Sequence, residues 1–274
     1  MVKSHPTPVP GQHPIDTGTA ELQRDPISGG WLLLINGAHS SHIHPDDPTA
    51  LDFEYLRQMA AVIDDRYEPD AALRVLHLGG AACALPRYLA DRYPRARQLA
   101  VEIDAALARL VREWFDLPRS PQLRIRVGDA RAVVEGLHPG SRDVIVRDAF
   151  DSDRAPAHLT TVEFVRAAKH VLAPGGLYLA NCGDSPDLAL VRADAAAVAE
   201  VFAHVLLIGD PAMLKGRRTG NVVVVGSDTD VGPSSALVRT LLSDPLPART
   251  ITGDEARRFG RNHARHDPDM APSA

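Results

Sequence analysis

Three carboxylates fall close together in the segment RDAFDSDRAP: Asp148, Asp151 and Asp153. Carboxylates at such spacing raise one another's pKa and create a negative pocket, suited to orienting a cationic amine or to accepting its proton. Asp153, at the outer end of the segment, reads better as a solvated surface acid. Three earlier segments end in residues that could hold the rest of a ligand. LHLGGAACALPRYL sets Gly79 and Gly80 ahead of the small residues Ala81, Ala82, Cys83 and Ala84, so a ligand can approach the backbone closely. VEID places Glu102 where an acidic side chain can accept bonds from two ribose hydroxyls. GDA offers Asp129 to an adenine amino group and Ala130 as a backbone contact, with helix capping by Asp129 the open alternative.

These residues need elements that bring them together. Short apolar runs at 73–80, 97–104, 123–130, 142–150, 176–183, 204–210 and 221–228 alternate with helical stretches such as AALARLVREWF and TTVEFVRAAKHVL. Continuous apolar strands alternating with helices predict a parallel sheet covered on both faces. The last two runs lack a full helix between them and predict an antiparallel pair, as in class I methyltransferase sheets. The expected fold is therefore α/β, a three-layer Rossmann-like sheet of that type, preceded by a small N-terminal β element. Ligands of such sheets sit outside the carboxyl ends of the strands, where Gly79, Glu102, Asp129 and Asp148 all fall.

Four segments are expected: a disordered tail over 1–18, a small β element and helix over 19–63, the Rossmann-like domain over 64–228, and a helical segment with a tail over 229–274. AELQRDP and WLLLING read as a hairpin, and Leu51, Tyr55, Met59 and Val62 share one helical face.

The 274 residues, 45% hydrophobic and 24% charged, describe an ordinary globular protein rather than a disordered or fibrous one. A net charge of -5 supplies no basic field for nucleic acid or an anionic membrane, and a neutral or cationic small substrate fits better. MVKSHPTPVPGQHP is not a signal peptide, and no apolar stretch reaches spanning length. With only Cys83 and Cys182, reduced thiols in the cytoplasm are expected. His39, His42 and His44 beside Asp46 and Asp47 read as a polar, Pro-flanked loop, and no metal is expected. His77 reads as a core imidazole, Trp114 and Phe115 as packing residues, and KGRRTGN as a solvated hairpin loop.

The series VLHLGG, VEID and GDA, followed by DVIVRDAFD, PAHLTTVEF and VLAPGGLYLAN, resembles the spermidine synthase family of polyamine aminopropyltransferases. The likeness runs from about Ala20 to Asp228. It implies a donor of the S-adenosyl type, decarboxylated S-adenosylmethionine, bound as co-substrate without a metal. It further implies that Glu102 binds ribose, that Asp129 and Ala130 meet adenine, and that Asp151 takes the proton of the attacking amine with Asp148 beside it. The glycine loop, Gly79, Gly80 and Ala81, would lie against the donor. Family members are commonly homodimers.

Two departures matter. Where the family's glycine loop carries an Asp that pairs with the aminopropyl ammonium, this chain has Ala82. Of the family's N-terminal amine-binding residues only Tyr55 has a counterpart, so the acceptor pocket is rebuilt. Losing a charge-assisted bond to a desolvated ammonium costs about 1.5 to 3 kcal/mol, and it also removes repulsion of the carboxylate of intact S-adenosylmethionine. Aminopropyl transfer to an amine is the leading reading. Methyl transfer from S-adenosylmethionine and a non-catalytic nucleoside-binding or scaffold role stay open, as does the acceptor.

Overall fold

The computed structural model describes residues 8–151 and 154–268. The chain opens with an antiparallel four-stranded sheet in the order β1 (Gly11–Ile15), β2 (Gly18–Arg24), β3 (Trp31–Ile35) and β4 (Ala38–Ile43). The expected hairpin is β2 with β3. At the β3–β4 turn both Asn36 (φ 51°) and Gly37 (φ 82°) take positive φ, the pattern of a tight primed turn. Strand β1 corrects the expectation of a disordered tail over 1–18 for its residues 11–15, while residues 1–7 lie outside the described residues. GQHPI has no apolar run, yet it pairs along its length with β2, and Ile15 is buried. Backbone pairing holds it where periodicity gives no signal.

Helix α1 (Glu54–Arg66) follows, with Tyr55, Met59, Val62 and Ile63 buried. The large sheet is built from β5 (Arg74–Gly79), β6 (Arg97–Glu102), β7 (Leu123–Val127), β8 (Arg142–Asp148), β9 (Leu172–Asp184), β10 (His204–Gly209), β11 (Gly220–Ser227) and β12 (Arg249–Thr252). Between the strands run α2 (Ala84–Arg92), α3 (Ala105–Trp114), α4 (Ala130–Glu135), α5 (Val162–Val171), α6 (Ala189–Val201) and α7 (Ser235–Ser243), and α8 (Gly253–Gly260) ends the set. The strand order is β12-β10-β11-β9-β8-β5-β6-β7, with β5 to β9 parallel and β10 and β11 an antiparallel pair, as the spacing predicts. This is the class I methyltransferase fold.

Alternate residues of the central strands feed two separate cores. Val75, Val144, Val146 and Leu179 pack with α1, α2 and the N-terminal sheet, while Leu76, Ile145 and Tyr178 pack with α4, α5 and α6. Strand interiors buried on both faces explain why these runs are continuously apolar. Within β8, the fully buried Arg147 pairs with Asp194 of α6, so its neighbour Asp148 faces the opposite side of the sheet.

Beyond residue 228 the expected helical segment also contains β12, which joins the large sheet against β10. Four residues, RTIT, are too few for a period to show. The start of the expected C-terminal tail is tied down: Asp267 N donates to Glu163 at 2.9 Å, and Arg131 donates to Asp267 at 2.9 Å. Among the described residues, no helix is long and apolar enough to cross a membrane.

Candidate active site

From β5 the chain steps outward through β6 and β7, then returns to place β8 on the other side of β5. Such a reversal opens a crevice at the carboxyl ends of the two strands. Gly79 and Asp148 lie opposite each other in register there. Gly79 has φ +83°, and a Cβ on it would stand 2.4 Å from the Asp148 carbonyl oxygen, so only glycine fits. The loop that follows keeps turning: Gly80 has φ +118°, Ala81 +39° and Cys83 +62°. Cys83 N donates to Gly80 O at 2.7 Å, and Ala82 N donates to Ser41 Oγ of β4 at 3.2 Å. The Ala82 side chain is fully buried. A pocket opens here, lined by Ser40, Ser41, Tyr55, Gly79, Gly80 and Asp148 among others.

Asp148 is the pocket's carboxylate. Asn181 Nδ2 of β9 donates to it at 3.0 Å, and the Tyr55 hydroxyl donates at 3.4 Å. Burial raises the Asp148 pKa, and these two donors offset part of that rise. Burial next to this carboxylate also drives the Tyr55 hydroxyl well above the ordinary range, so it stays a protonated donor. Asn181 Oδ1 is buried and has no hydrogen-bond partner. A buried acceptor without a donor is costly unless a ligand supplies one. Asn181 lies in the GLYLAN segment, where nothing in the sequence separates a site amide from strand filler.

Asp151 stands apart from this pocket lining. It is exposed on the loop after β8, where its backbone pairs with that of Arg154 at 2.8 and 3.3 Å. Asp153 lies outside the described residues. The structure therefore joins Asp148 to Tyr55 in one pocket and leaves Asp151 on the adjoining loop.

Glu102 and Asp129 stand at the same end of the sheet on neighbouring strands. Glu102 pairs in register with Val127, and Gly128 N donates to Glu102 O at 2.9 Å. Burial pushes the Glu102 carboxyl up to about 6, against the Asp104 amide that donates to it at 3.1 Å. Asp129 caps α4 by accepting from Ala132 N at 2.9 Å, and His158 Nε2 sits 2.9 Å from its other oxygen. Partial burial raises its pKa, but these two bonds outweigh burial and hold it below the ordinary range. Ala130, buried, begins that helix.

Three apolar side chains stand exposed at the same strand ends: Ile103 after β6, Val127 closing β7, and Phe150 beyond β8. Apolar residues at strand ends look like core in a sequence, and only the fold shows them bare. His77 reads correctly as a core imidazole: it is buried, bonds Gln98 at 2.9 Å, and burial lowers it to about 4. Burial likewise pushes the Cys83 thiol up to about 12 and Cys182 well up, which suits neither to nucleophilic attack.

No family model matches the sequence. The chain is 33% identical over 131 residues to the polyamine aminopropyltransferase of Vibrio vulnificus, covering 47% of this chain and 43% of that protein. It is 28% identical over 121 residues to the human eEF1A lysine and N-terminal methyltransferase, covering 40% of this chain and 17% of that one. The chain spans about half the length of the curated polyamine aminopropyltransferases it matches. A crystal structure of a probable spermidine synthase from Corynebacterium glutamicum superposes with a TM-score of 0.90 at 46% identity, covering 98% of this chain and 100% of that one. Identity of that order, carried across the whole of a solved relative, shows that the chain belongs to the spermidine synthase family.

Proposed function

We propose that the protein transfers an aminopropyl group from decarboxylated S-adenosylmethionine to an amine. The supporting observation is the pocket at the β5–β8 crevice: the half-buried Asp148 carboxylate, held by Tyr55 and Asn181, with the unpaired Asn181 Oδ1 on the residue that bonds it. Both are acceptors suited to the N–H groups of an amine.

In this reading the donor's nucleoside lies across the ends of β5, β6 and β7. Glu102 accepts from the ribose hydroxyls, Asp129 and the Ala130 backbone meet the adenine edge, and Ile103 and Val127 cover its face. The Gly79–Ala81 backbone runs under the sulfonium. The neutral amine nitrogen attacks the carbon next to sulfur in line. The C–S bond breaks to leave methylthioadenosine, and the amine proton passes to Asp151, whose exposure lets it hand the proton to water. Asp148 and Tyr55 orient the amine, and the protein's contribution is positioning plus a base. By family likeness the working unit is a cytoplasmic homodimer, and two buried free thiols suit a reducing compartment.

Ala82 favours a second reading. A buried methyl in the glycine loop gives no partner to an aminopropyl ammonium and no repulsion to a carboxylate, so intact S-adenosylmethionine and methyl transfer also fit. Titration calorimetry with both donors and methylthioadenosine, followed by product analysis with putrescine, separates the readings. Tighter binding of the decarboxylated donor and formation of spermidine support the first. Preference for the intact donor with a methylated amine replaces it by the second, and no binding of any of the three overturns both.

A further inference from the structure

Away from the pocket, His42, His44 and Asp52 bring one ligand atom each to within 4.8 Å of one another. Asp52 Oδ2 is the focus: His42 Nδ1 lies 2.5 Å from it and His44 Nε2 lies 2.6 Å from it. The acids next to the histidines in sequence do not take part. Asp47 instead bonds Thr49 within its own turn.

On its far side, His42 Nε2 faces Asp25 Oδ2 at 3.1 Å and Ser28 Oγ at 3.4 Å, and that Ser28 hydroxyl itself donates to Asp25 at 2.5 Å. Facing a carboxylate on that side, His42 Nε2 is placed to donate to Asp25. His42 is only 8% exposed, and its Nδ1 has no hydrogen-bond partner although a carboxylate oxygen is 2.5 Å away. A buried ring nitrogen without a hydrogen bond, with two further ligand atoms gathered beside it, is an arrangement a metal ion completes. A carboxylate behind the distal nitrogen of a ligating histidine is the usual outer-shell support.

We propose that His42 Nδ1, His44 Nε2 and Asp52 form a divalent metal site, with Asp25 orienting His42. Two imidazoles and one carboxylate match Zn2+, and Asp52, 43% exposed, leaves a solvent-facing fourth position. His42 and His44 belong to the end of β4 and the residue beyond it, where i and i+2 share a face. Asp52 lies two residues before α1. The ion therefore ties β4 to the start of α1, the two elements that carry Ser41 and Tyr55 to the pocket. Arg87 already ties the intervening loop to α2 through the His44 and Pro45 carbonyls at 3.0 and 3.1 Å. The site is a clamp on the pocket wall rather than a second reaction centre.

The test is calorimetric titration of the full, tag-free chain with Zn2+ after chelator treatment. The expected result is one ion per chain with a Kd below about 1 µM. Asp52→Asn and His44→Ala should each weaken binding at least a hundred-fold, and Asp25→Asn ten- to a hundred-fold. His39→Ala, on the same strand but outside the cluster, should leave it unchanged. Co2+ added to the parent chain should give the intense visible absorption of a four-coordinate site, a readout that needs no variant. Absence of saturable Zn2+ binding, or binding that survives in Asp52→Asn and His44→Ala alike, overturns the proposal and leaves the cluster a hydrogen-bonded relay.

Discussion

Replacing Glu102 by Gln should make the protein more stable and a worse binder of its nucleoside. The Glu102 carboxyl sits at about 6 against an ordinary 4.5 because burial penalises its charged form. That difference corresponds to about 2 kcal/mol held against folding once the group is ionised. The native state binds the extra proton between pH 4.5 and 6, so stability falls as pH rises through that window, and the cost is fully present above it. A glutamine keeps an oxygen for the Asp104 amide and removes the charge. At pH 8 Glu102→Gln should gain about 2 kcal/mol, a rise in Tm of roughly 3 to 4 °C for a chain of this size, and the gain should vanish near pH 4. In the proposed pose the same change weakens two charge-assisted bonds to ribose, so nucleoside affinity should fall ten-fold to a hundred-fold. In the parent, affinity should fall as pH drops below 6, where Glu102 takes up its proton. Thermal melts across pH 4 to 8, with methylthioadenosine calorimetry, read both effects. A variant less stable than the parent at pH 8, with unchanged affinity, would refute the burial argument and the ribose assignment together.

Asp151→Asn should lower kcat about a hundred-fold or more while donor affinity survives, whereas Asp148→Asn should chiefly raise KM for the amine; steady-state kinetics on both substrates distinguishes base from amine anchor. Gly79→Ala forces a Cβ to 2.4 Å from the Asp148 carbonyl in a left-handed conformation and should cost about 2 kcal/mol or more, seen as a lower denaturant midpoint with donor binding lost. Ala82→Asp places a carboxylate at a fully buried position and should destabilise the free protein by about 3 to 5 kcal/mol. The decarboxylated donor should then raise its Tm more than intact S-adenosylmethionine does, and equal shifts would count against a sulfonium tail lying over residue 82.

The central parallel strands were legible because their interiors are buried on both faces and read as apolar runs, while the edge strand β7, LRIRV, alternates with exposed arginines. Their ends were legible because acids and glycines interrupt those runs at Gly79, Glu102, Asp129 and Asp148. Strand β1 was not, since a polar strand held only by its neighbour's backbone has no period, and β12 was too short to have one. Arg147 and Asp148 are adjacent and both charged, and only the pleat decides that one is sealed against Asp194 and the other faces the pocket. Asn181, Ser41 and Ile103 escaped notice because an amide, a hydroxyl or an apolar side chain on a strand is ordinary until the fold shows what it touches. The grouping of His42 and His44 with an acid was not legible for a related reason: the carboxylate that meets them, Asp52, is eight residues beyond His44, while Asp47 bonds within its own turn.

The two halves of the proposed site rest on different supports, and that decides which half can change without loss of fold. The proposed nucleoside side is built from strand ends, where Glu102 and Asp129 are fixed by the parallel ladder and by the helices they precede. The proposed amine side draws on separate pieces: Ser41 from the N-terminal sheet and Tyr55 from α1 line the pocket, and Asn181 from β9 bonds its Asp148. Position 82, whose amide bonds Ser41, belongs to no strand pairing, so its side chain can differ without disturbing the sheet. In the proposed reading, substrate choice can therefore change on the amine side while the strand ends that would hold the nucleoside stay fixed. The same logic places a metal clamp where it would matter most, at the junction of β4 and α1, because that wall lacks the continuous backbone ladder which holds the other.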